Sequence, residues 1–367
     1  MFETAAPRWS APVLQGAAMF PERYTRDGIA DRCDHRLFVQ ARHIYSFCAF
    51  GELGWDGPWR ERCNAAVDHL IAVGRRPDGF YIHKFSCEGA VADARADFYD
   101  QAFTLFMFAH AGRTLERPEL FDHARALFAA MERDWRDPRG GFREGEIAEC
   151  PPRRQNPHMH LFEAAQALYD ATRDDRWNGL ATEMADLCAR RFIDPETGAL
   201  LEYFTETLDR LDSREGMIVE PGHCFEWAWL FERLEARGLG GAATSDGLVA
   251  FARAKGIDSA RGVAINEVYT DGNIRWASAR LWPQTERLKA AVARYRRTGE
   301  EVELREACAA FSGLARYFDP SDRGIWFDKL RPDGGFEPEN APGSSLYHIT
   351  CSYVELLSLF PGLGRAR

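Results

Sequence analysis

The chain has 367 residues, of which 46% are hydrophobic and 28% are charged, proportions typical of a soluble globular protein. This length exceeds that of one ordinary compact core but is short for three ordinary domains. The 56 acidic and 46 basic residues give a net charge of −10, which argues against a nucleic-acid-binding protein because such proteins present basic faces.

The cysteines and the N-terminus indicate the compartment. Nine cysteines occur between Cys33 and Cys351 with no C-x-x-C pair, which favours reduced thiols over a disulfide or zinc framework. The start of the chain lacks the basic and apolar regions of a signal peptide, and no apolar run approaches the ~18 residues of a membrane span. We therefore expect a cytoplasmic protein, monomer or homo-oligomer, with no nucleic-acid or membrane partner.

One pattern recurs along the chain: an acidic residue, often followed by proline, then glycine and an apolar residue. Its copies PDGFY, DPRGGF, DPETGAL, DSARGVA and DPSDRGIWF contain Asp78, Asp137, Asp194, Asp258 and Asp319. They follow one another at steps of 59, 57, 64 and 61 residues. Segments with apolar residues at helical spacing lie between them in pairs, for example LFEAAQALYDAT and WNGLATEMADLCARRF. A fixed period of this kind predicts stacked helical hairpins.

Six hairpins of about sixty residues each would use nearly the whole chain. Arranged in a circle, they form an (α/α)6 barrel in which outer helices cover inner ones. We therefore predict an all-α fold, an (α/α)6 barrel formed by a single catalytic domain over residues 1–367. An open α-solenoid of the same hairpins is the alternative, but neither end carries the polar capping repeat that a solenoid needs.

Four of the predicted helices begin in a similar way. NPHMHLFEA, EPGHCFEWAWL, LWPQTERLKA and APGSSLYHITCSYVELL each place proline or Pro-Gly at a helix start. In the first of these, we predict Asn156 as the N-cap and Pro157 as the first helical residue. The inner helices of a barrel run in the same direction, so their first turns meet at one mouth. The residues that would form a site there are His158, His160, His223, Glu226, Trp282, Glu286 and His348.

A metal site is one alternative, because His160 with Glu163 and His223 with Glu226 are i,i+3 pairs. Di-iron bundles, however, use the order Glu-x-x-His with further glutamates, and H-E-x-x-H is absent. Phosphate-binding loops, Rossmann glycines and a G-x-S-x-G elbow are absent as well. We therefore predict no metal and no other cofactor. Taken singly, each histidine or tryptophan would more often belong to the core.

The residue types favour proton transfer on a sugar. Histidine has an ordinary pKa of about 6.5, so a pair of histidines can take and return a proton near neutral pH. A glycoside hydrolase would use two carboxylates, and Glu226 with Glu286 leaves hydrolysis open but does not explain His223 and His348. Aromatic faces such as Trp282 suit sugar rings. Proton abstraction beside the carbonyl of an open-chain sugar fits these residues best.

Six stretches together resemble the N-acylglucosamine 2-epimerase family, which includes cellobiose 2-epimerases and mannose or other aldose–ketose isomerases. They are LFVQARHIYSF, FYDQAF, NPHMHLFEA, EPGHCFEWAWL, RLWPQTE and LYHITCSYVEL, which occur in the family's order between Leu37 and Leu356. The resemblance implies an (α/α)6 barrel, in agreement with the repeat. It also implies a carbohydrate isomerase or epimerase with a small sugar as its substrate.

Carried over by position, the resemblance implies that His223 and His348 are catalytic. One would be the base at sugar C2, and the other would assist ring opening or the second proton transfer. Glu226 would orient the imidazole of His223, and Arg42 would donate to the enediolate oxygens. An ion pair within the barrel wall is the alternative for Arg42. His158 would pack or cap. The sugar contacts would come from Tyr99, Asn156, His160, Trp282 and Glu286.

Isomerisation and 2-epimerisation both pass through a cis-enediol(ate), so the two histidines fit either reaction. EPGHCFEWAWL, WPQTE and SSLYH are similar to the mannose isomerases, which favours an aldose–ketose isomerase of the mannose/fructose type. A 2-epimerase of the N-acylglucosamine, cellobiose or glucose/mannose type is the alternative. Arg153 and Arg154 leave a sugar phosphate open, although a solvated basic pair is the simpler interpretation. A non-catalytic sugar-binding protein would not need both His223 and His348.

Overall fold

Twelve helices form most of the computed structural model, which describes residues 1–12, 18–147, 152–318 and 324–360. The helices are α1 (Ala5–Ser10), α2 (Leu37–Glu52), α3 (Trp59–His69), α4 (Phe98–Thr114), α5 (Glu119–Asp134), α6 (Asn156–Thr172), α7 (Asp175–Leu187), α8 (Pro221–Glu235), α9 (Ala242–Lys255), α10 (Leu281–Thr298), α11 (Glu301–Ala315) and α12 (Ser344–Leu357). The π-helical turns Leu70–Gly74 and Cys188–Phe192 extend α3 and α7, and a 3₁₀ turn spans Arg214–Met217.

The even-numbered helices form a closed inner ring. Helix α2 packs on α4, α4 on α6, α6 on α8, α8 on α10 and α10 on α12, and α12 then packs on α2. Each odd-numbered helix from α3 to α11 packs on the outside of the inner helix that precedes it. Because the last inner helix contacts the first, the molecule is the predicted (α/α)6 barrel rather than an open solenoid.

Burial differs between the two rings. In the inner ring, α10 is buried on every side from Leu281 to Ala293. In the outer ring, α5 buries one face at the three- and four-residue spacing of an amphipathic helix. That face consists of Leu120, Ala124, Leu127, Phe128, Ala130 and Met131. The inner helices therefore hold their polar residues away from bulk water. Across the described ranges, no helix has both the length and the apolar character that crossing a membrane requires.

The sixth unit differs from the predicted pair of long helices. In the described residues, the outside of α12 is covered by the N-terminal segment, which contains only the short helix α1. Trp9 of α1 stacks on Trp326, with ring centroids 4.7 Å apart. Phe2 contacts the rings of Phe50 in α2 and Tyr353 in α12. The N-terminal part of the chain thus completes the last unit and helps to close the ring.

Short antiparallel strands join the helices. They are β1 (Arg23–Tyr24), β2 (His35–Arg36), β3 (Lys84–Phe85), β4 (Val91–Asp93), β5 (Arg153–Arg154), β6 (Tyr203–Phe204), β7 (Ile218–Val219), β8 (Ile257–Asp258), β9 (Val263–Ala264), β10 (Glu267–Tyr269), β11 (Ile274–Trp276), β12 (Ala279–Arg280), β13 (Lys329–Leu330) and β14 (Ala341–Pro342). The sheets are β1–β14, β2–β3–β4, β5–β6, β7–β10–β11, β8–β9 and β12–β13. Strands β2, β5, β7, β12 and β14 end at or just before the start of an inner helix. They therefore fix the N-terminal ends of those helices around one mouth.

The repeated acidic turns are confirmed at four of their five positions. The carboxylates of Asp78, Asp137, Asp194 and Asp258 each accept a hydrogen bond from the backbone N–H two residues later. This is the local bonding that makes aspartate favourable in turns. The fifth position, Asp319, lies outside the described residues.

Candidate active site

A cavity of about 200 Å³ lies at the N-terminal ends of the inner helices, and all six of them contribute to its wall. Eight of the nine predicted site residues line it: Arg42, Tyr99, Asn156, His160, His223, Glu226, Trp282 and His348. The ninth, Glu286, is fully buried behind the wall. The convergence expected from the similar helix starts is therefore present.

The histidine of α8 is held by carboxylates. His223 Nδ1 lies 2.9 Å from Oε2 of Glu202, and a second carboxylate, that of Glu220, lies 4.0 Å from the same nitrogen. Gln155 donates from Nε2 to Glu202 at 2.9 Å, so this glutamate is itself fixed in place. Because Nδ1 is engaged by Glu202, Nε2 is the ring nitrogen that His223 presents to the cavity.

His348, the histidine of α12, is also bonded to a glutamate, but this glutamate lies beside a lysine. His348 Nδ1 donates to Oε1 of Glu286 at 2.8 Å, which again leaves Nε2 for the cavity. Glu286 thus lies behind His348 and does not line the cavity, and its predicted contact with the sugar stays a prediction. Its Oε2 lies 2.6 Å from the ammonium of Lys289, and both of these side chains are fully buried. Burial alone would lower the pKa of Lys289, but Glu286 outweighs burial and raises it. Lys289 thus balances the charge of Glu286.

The two imidazoles consequently differ in charge. Burial alone would lower the pKa of His223, but Glu202 and Glu220 outweigh burial and raise it to about 10. Burial lowers the pKa of His348 well below its ordinary value, and two nearby cations lower it further. Near neutral pH, His223 is therefore an imidazolium that presents an N–H, and His348 is a neutral imidazole that presents a lone pair.

Trp282 lies between His223 and His348. Its ring centroid is 4.8 Å from that of His223 and 5.7 Å from that of His348, with an interplanar angle of 37° in both pairs. The indole is almost completely buried and lines the cavity between the two imidazoles. An apolar ring face between two proton-transferring groups can hold a sugar against both of them.

Glu226 does not orient His223, contrary to the prediction, because Glu202 holds that position. Its carboxyl lines the cavity one turn after His223, and its Oε1 makes no hydrogen bond to a described residue. Burial raises the pKa of Glu226 well above its ordinary value, and the charge of Glu286 raises it further. This shift favours the neutral carboxylic acid, a form that can donate a hydrogen bond to a ligand oxygen as well as accept one.

Helix α6 begins one residue earlier than predicted, so Gln155 is the N-cap and Asn156 is the first helical residue. Asn156 is consequently not a cap, and its Oδ1 is buried without a hydrogen bond to any described residue. Such an atom is costly unless a ligand or water satisfies it. His158 turns away from the cavity and accepts a hydrogen bond at Nε2 from the Phe142 N–H, 3.0 Å away. His158 therefore packs and holds a neighbouring turn.

His160 forms the third histidine–glutamate pair in the wall. Its Nδ1 lies 3.2 Å from Oε2 of Glu163, which also accepts a hydrogen bond from the Tyr347 hydroxyl at 2.5 Å. Burial lowers the pKa of His160 to about 4, although Glu163 opposes this. His160 is therefore neutral and rigidly held, as a residue that positions a sugar hydroxyl would be.

Arg42 is a buried cation without a counter-ion. Its Nη2 donates to the Tyr99 hydroxyl at 2.7 Å, and its Nη1 donates to the Ser344 carbonyl at 3.3 Å. No carboxylate of the described residues pairs with it, which contradicts the alternative of an ion pair in the wall. The guanidinium lies 4.2 Å from the ring centroid of Phe103 and is 4% exposed. A desolvated positive charge of this kind is suited to an oxyanion in the cavity.

Three groups of histidines and glutamates have ligand atoms within 4.8 Å of one another. They are His160–Glu163–Glu226, Glu202–Glu220–His223 and Glu226–Glu286–His348. One group differs from the pair that the sequence suggested, because His223 lies with Glu202 and Glu220 rather than with Glu226. In each group the Nδ1 of the histidine is already bonded to a glutamate, which leaves only Nε2 for a ligand. Independence from metal remains a prediction.

Sequence reasoning missed Glu202, Glu220 and Lys289. Glu220 directly precedes Pro221 in EPGHCFEWAWL, and Lys289 follows Glu286 at i+3, so both positions carried a usable signal. Glu202 lies in a connection ahead of β6, 21 residues before His223, and nothing in its local sequence marks it.

The basic pair before α6 has a structural role. Arg153 is 1% exposed and donates to Asp137 and to the Phe142 carbonyl. Arg154 pairs with Glu144 at 2.8 Å. Neither arginine lines the cavity, and the interpretation as a solvated pair is wrong for Arg153.

Comparison with known proteins agrees with the sequence resemblance. Residues 20–352 match the family model described as N-acylglucosamine 2-epimerase (GlcNAc 2-epimerase). A mannose-6-phosphate isomerase of Rhizobium meliloti (strain 1021) is 39% identical over 96% of this chain and 94% of that protein. A D-mannose isomerase of Thermobifida fusca is 30% identical over 83% of this chain and 81% of that protein.

Solved structures show the same fold at lower identity. A crystal structure of D-mannose isomerase superposes with a TM-score of 0.87 at 18% identity, covering 97% of this chain and 96% of that chain. Cellobiose 2-epimerase from Bacillus thermoamylovorans B4167 gives a TM-score of 0.86 at 18% identity, with 96% of each chain covered.

Proposed function

Because the chain belongs to the N-acylglucosamine 2-epimerase family of carbohydrate isomerases and epimerases, we propose that it interconverts an aldose of the mannose type and the matching ketose. The observation that carries the proposal is the pair of histidines in one small cavity, each with Nδ1 on a buried glutamate and with pKa values shifted in opposite directions. Two groups whose pKa values are moved apart by their surroundings are suited to act as the acid and the base of one reaction.

The proton transfers follow from these states. On the open-chain aldose, Nε2 of His348 removes the proton from C2 while the Nε2–H of His223 protonates the carbonyl oxygen at C1. The product is a cis-enediol. His223 then takes the proton of the C2 hydroxyl while His348 returns its proton to C1, which gives the ketose and restores both histidines. No net proton is gained or lost.

The remaining residues of the cavity wall bind the sugar and stabilise the enediolate. Arg42 donates to the enediolate oxygens, where a preorganised positive charge counts most because water is excluded. Tyr99 holds the guanidinium of Arg42 in place through its hydroxyl. Asn156, His160 and Glu226 present an unpaired acceptor, a ring nitrogen and a neutral carboxyl to the sugar hydroxyls.

A 2-epimerase is the second candidate, and one observation favours it. His223 already carries a proton on Nε2 and lies in the same cavity as His348. If the intermediate is the enediolate, with the Nε2 proton still on His223, transfer of that proton to C2 on the face opposite to His348 gives the C2 epimer rather than the ketose. His348 then holds the proton from C2 and His223 is neutral, and exchange with solvent restores both. The same residues can thus catalyse isomerisation or epimerisation. The angle at which the sugar lies between the imidazoles decides which product forms.

Product analysis in deuterated water tests the proposal. The protein is incubated separately with mannose, mannose 6-phosphate, fructose, glucose, cellobiose and N-acetylmannosamine, and the products are resolved and analysed by NMR. We expect fructose or its phosphate from the mannose substrates, with deuterium at C1, and deuterium at C2 of mannose in the reverse direction. Mannose-to-glucose conversion would favour the epimerase. Product that stays free of deuterium over many turnovers would refute proton transfer through the histidines.

We further propose that the enzyme works in the cytoplasm. All eight cysteines in the described part of the chain are unpaired, which agrees with a reducing compartment. Fractionation of cells that express the protein tests this location.

A further inference from the structure

Two arginines stand at the mouth of the cavity. Arg36 is the N-cap of α2 and Arg280 is the N-cap of α10, so they flank the start of α12, which lies between those helices. Both line the cavity of about 200 Å³, and both also line an adjoining recess of about 780 Å³ on the outer side. Ser344, the first residue of α12, borders the same two spaces. A ligand that extends from the cavity into the recess passes between these arginines.

Each arginine is held by one carboxylate at a single nitrogen. Nε of Arg36 donates to Glu22 at 2.5 Å, and Nε of Arg280 lies 3.4 Å from Asp328. The η nitrogens of both arginines make no hydrogen bond to any described residue. The two side chains are 39% and 37% exposed. A guanidinium anchored through Nε keeps its Nη–H donors for a ligand.

Arg153 shows how a structural arginine of the same mouth differs. Its Nη1 donates to Asp137 at 3.0 Å and its Nη2 to the Phe142 carbonyl at 2.7 Å, and its side chain is 1% exposed. Both η nitrogens of Arg153 thus donate hydrogen bonds within the protein. Those of Arg36 and Arg280 do not, although both residues are oriented by ion pairs.

The mouth is also asymmetric in charge. The N-cap residues on the α4, α6 and α8 side are Asp97, Gln155 and Glu220. The side formed by α10, α12 and α2 carries the two arginines, and Lys84 lies opposite Arg36 in the β2–β3 pair and lines the recess. The positive end of the α12 dipole points to the same side. Glu22, Asp34, Asp328 and Glu339 also line the recess, so the attraction for an anion is confined to the Nη groups of the two arginines at the mouth.

We infer that Arg36 and Arg280 bind a phosphate monoester at the end of the sugar remote from C1 and C2. Guanidinium groups match phosphate oxygens in geometry, and two of them balance its charge. Arg36 precedes Arg42 by six residues on α2, about 9 Å along the helix axis. An enediolate at Arg42 would thus place the far end of an open-chain hexose, its C6 oxygen, toward Arg36. The inference rests on the proposed isomerase function and names its substrate class, a hexose 6-phosphate.

Kinetics on two substrates test the subsite. We measure kcat/KM for mannose 6-phosphate and for mannose in the wild type and in Arg36→Gln, Arg280→Gln and the double variant. The ratio of the two values should favour the phosphate in the wild type and fall about 10- to 100-fold in each single variant, since each loses a charge-assisted bond. Arg95→Gln is the matched control, because Arg95 pairs with Asp93 and lines neither the cavity nor the recess. Its ratio should stay that of the wild type.

Several outcomes would overturn the subsite. These are a wild-type ratio near one, a ratio that the variants leave unchanged, or a preference for mannuronate over mannose 6-phosphate. Circular dichroism melting confirms that each variant is folded, and Arg36→Lys and Arg280→Lys, which keep the charge, should recover part of the ratio.

A binding readout separates failure of the subsite from failure of the proposed function. Inorganic phosphate should bind the wild-type protein in a calorimetric titration and bind the double variant at least about 10-fold more weakly. If no sugar is turned over but phosphate binds in this way, the isomerase proposal fails and the anion site stands. If sugars are turned over and phosphate binds both proteins equally, the anion site fails and the isomerase stands.

Discussion

His223 and His348 have the same local design but opposite charge. Each donates or shares a proton at Nδ1 with a buried glutamate, at 2.9 Å and 2.8 Å respectively, and each presents Nε2 to the cavity. The pKa of His223 is nevertheless raised to about 10, whereas burial and nearby cations lower the pKa of His348.

The difference in pKa between the two histidines comes from the neighbours of their glutamate partners. Neither Glu202 nor Glu220 forms an ion pair with a lysine or arginine of the described residues, and both raise the pKa of His223. Glu286, by contrast, lies 2.6 Å from the ammonium of Lys289, and this cation lowers the pKa of His348. Whether a glutamate is balanced by a cation thus decides whether its histidine becomes the acid or the base.

Loss of either imidazole should have the largest effect. We expect His223→Ala and His348→Ala each to lower kcat by about 100- to 10,000-fold, the contribution typical of a general acid or base. Melting temperatures should remain close to that of the wild type, because both rings border a cavity. His123→Ala, on outer helix α5, is the matched control and should keep full activity. Near-normal turnover by either active-site variant would withdraw that histidine from the mechanism.

The pH profile of Glu202→Gln tests whether Glu202 keeps His223 protonated. Activity needs His348 neutral and His223 protonated, so the wild-type rate should fall only well below pH 6.5, as His348 gains a proton, and again near pH 10. Removing the Glu202 charge lowers the pKa of His223, which should move the alkaline limb down by about 1–3 pH units. Glu206→Gln, an exposed neighbour, should leave the profile unchanged. An alkaline limb that stays in place would show that Glu202 does not set the charge of His223.

Lys289→Met tests whether Lys289 keeps the pKa of His348 low. Without its cation, Glu286 would raise the pKa of His348, so the acid limb should move to higher pH. The uncompensated buried charge should also lower the free energy of unfolding by about 3–5 kcal/mol, as measured by urea denaturation. The double variant Glu286→Gln/Lys289→Met should recover much of that stability. Lys255→Met, an exposed change on α9, is the control. An unmoved acid limb in a folded Lys289→Met protein would contradict the balancing role.

Metal removal should have the smallest effect. Dialysis against a chelator is expected to leave kcat/KM unchanged, because proton transfer between His223 and His348 requires no Lewis acid. A loss of activity that a divalent cation restores would assign a role to one of the three histidine–glutamate groups in the wall.

The sequence sufficed for the fold and for most of the residues that face the cavity. The sixty-residue period and the six motifs place His223, His348, Asn156 and Trp282 at the starts of inner helices that must meet, and the barrel brings them together. The sixth unit was not predictable from the period, because Phe2 and its neighbours reach α12 from the other end of the chain.

Side-chain direction and charge balance could not be read from the sequence. Glu226 and Glu286 both follow a motif residue at i+3 or i+4, yet only Glu226 turns into the cavity. Glu202 reaches His223 across 21 residues of sequence, a contact that depends on how β6 is placed. The protonation states of the histidines depend on these partners. The pattern therefore placed the two histidines at the cavity but did not distinguish their protonation states.

Nitrogen-15 NMR of protein labelled in histidine tests the central claim most directly, since it reports the protonation of each ring nitrogen. The signals are assigned with His223→Gln and His348→Gln. Between pH 7 and pH 9, we expect two protonated nitrogens in His223, and in His348 a protonated Nδ1 with an unprotonated Nε2. If both rings instead titrate together near a pKa of about 6.5, the ordinary value for histidine, the assignment of one acid and one base is contradicted.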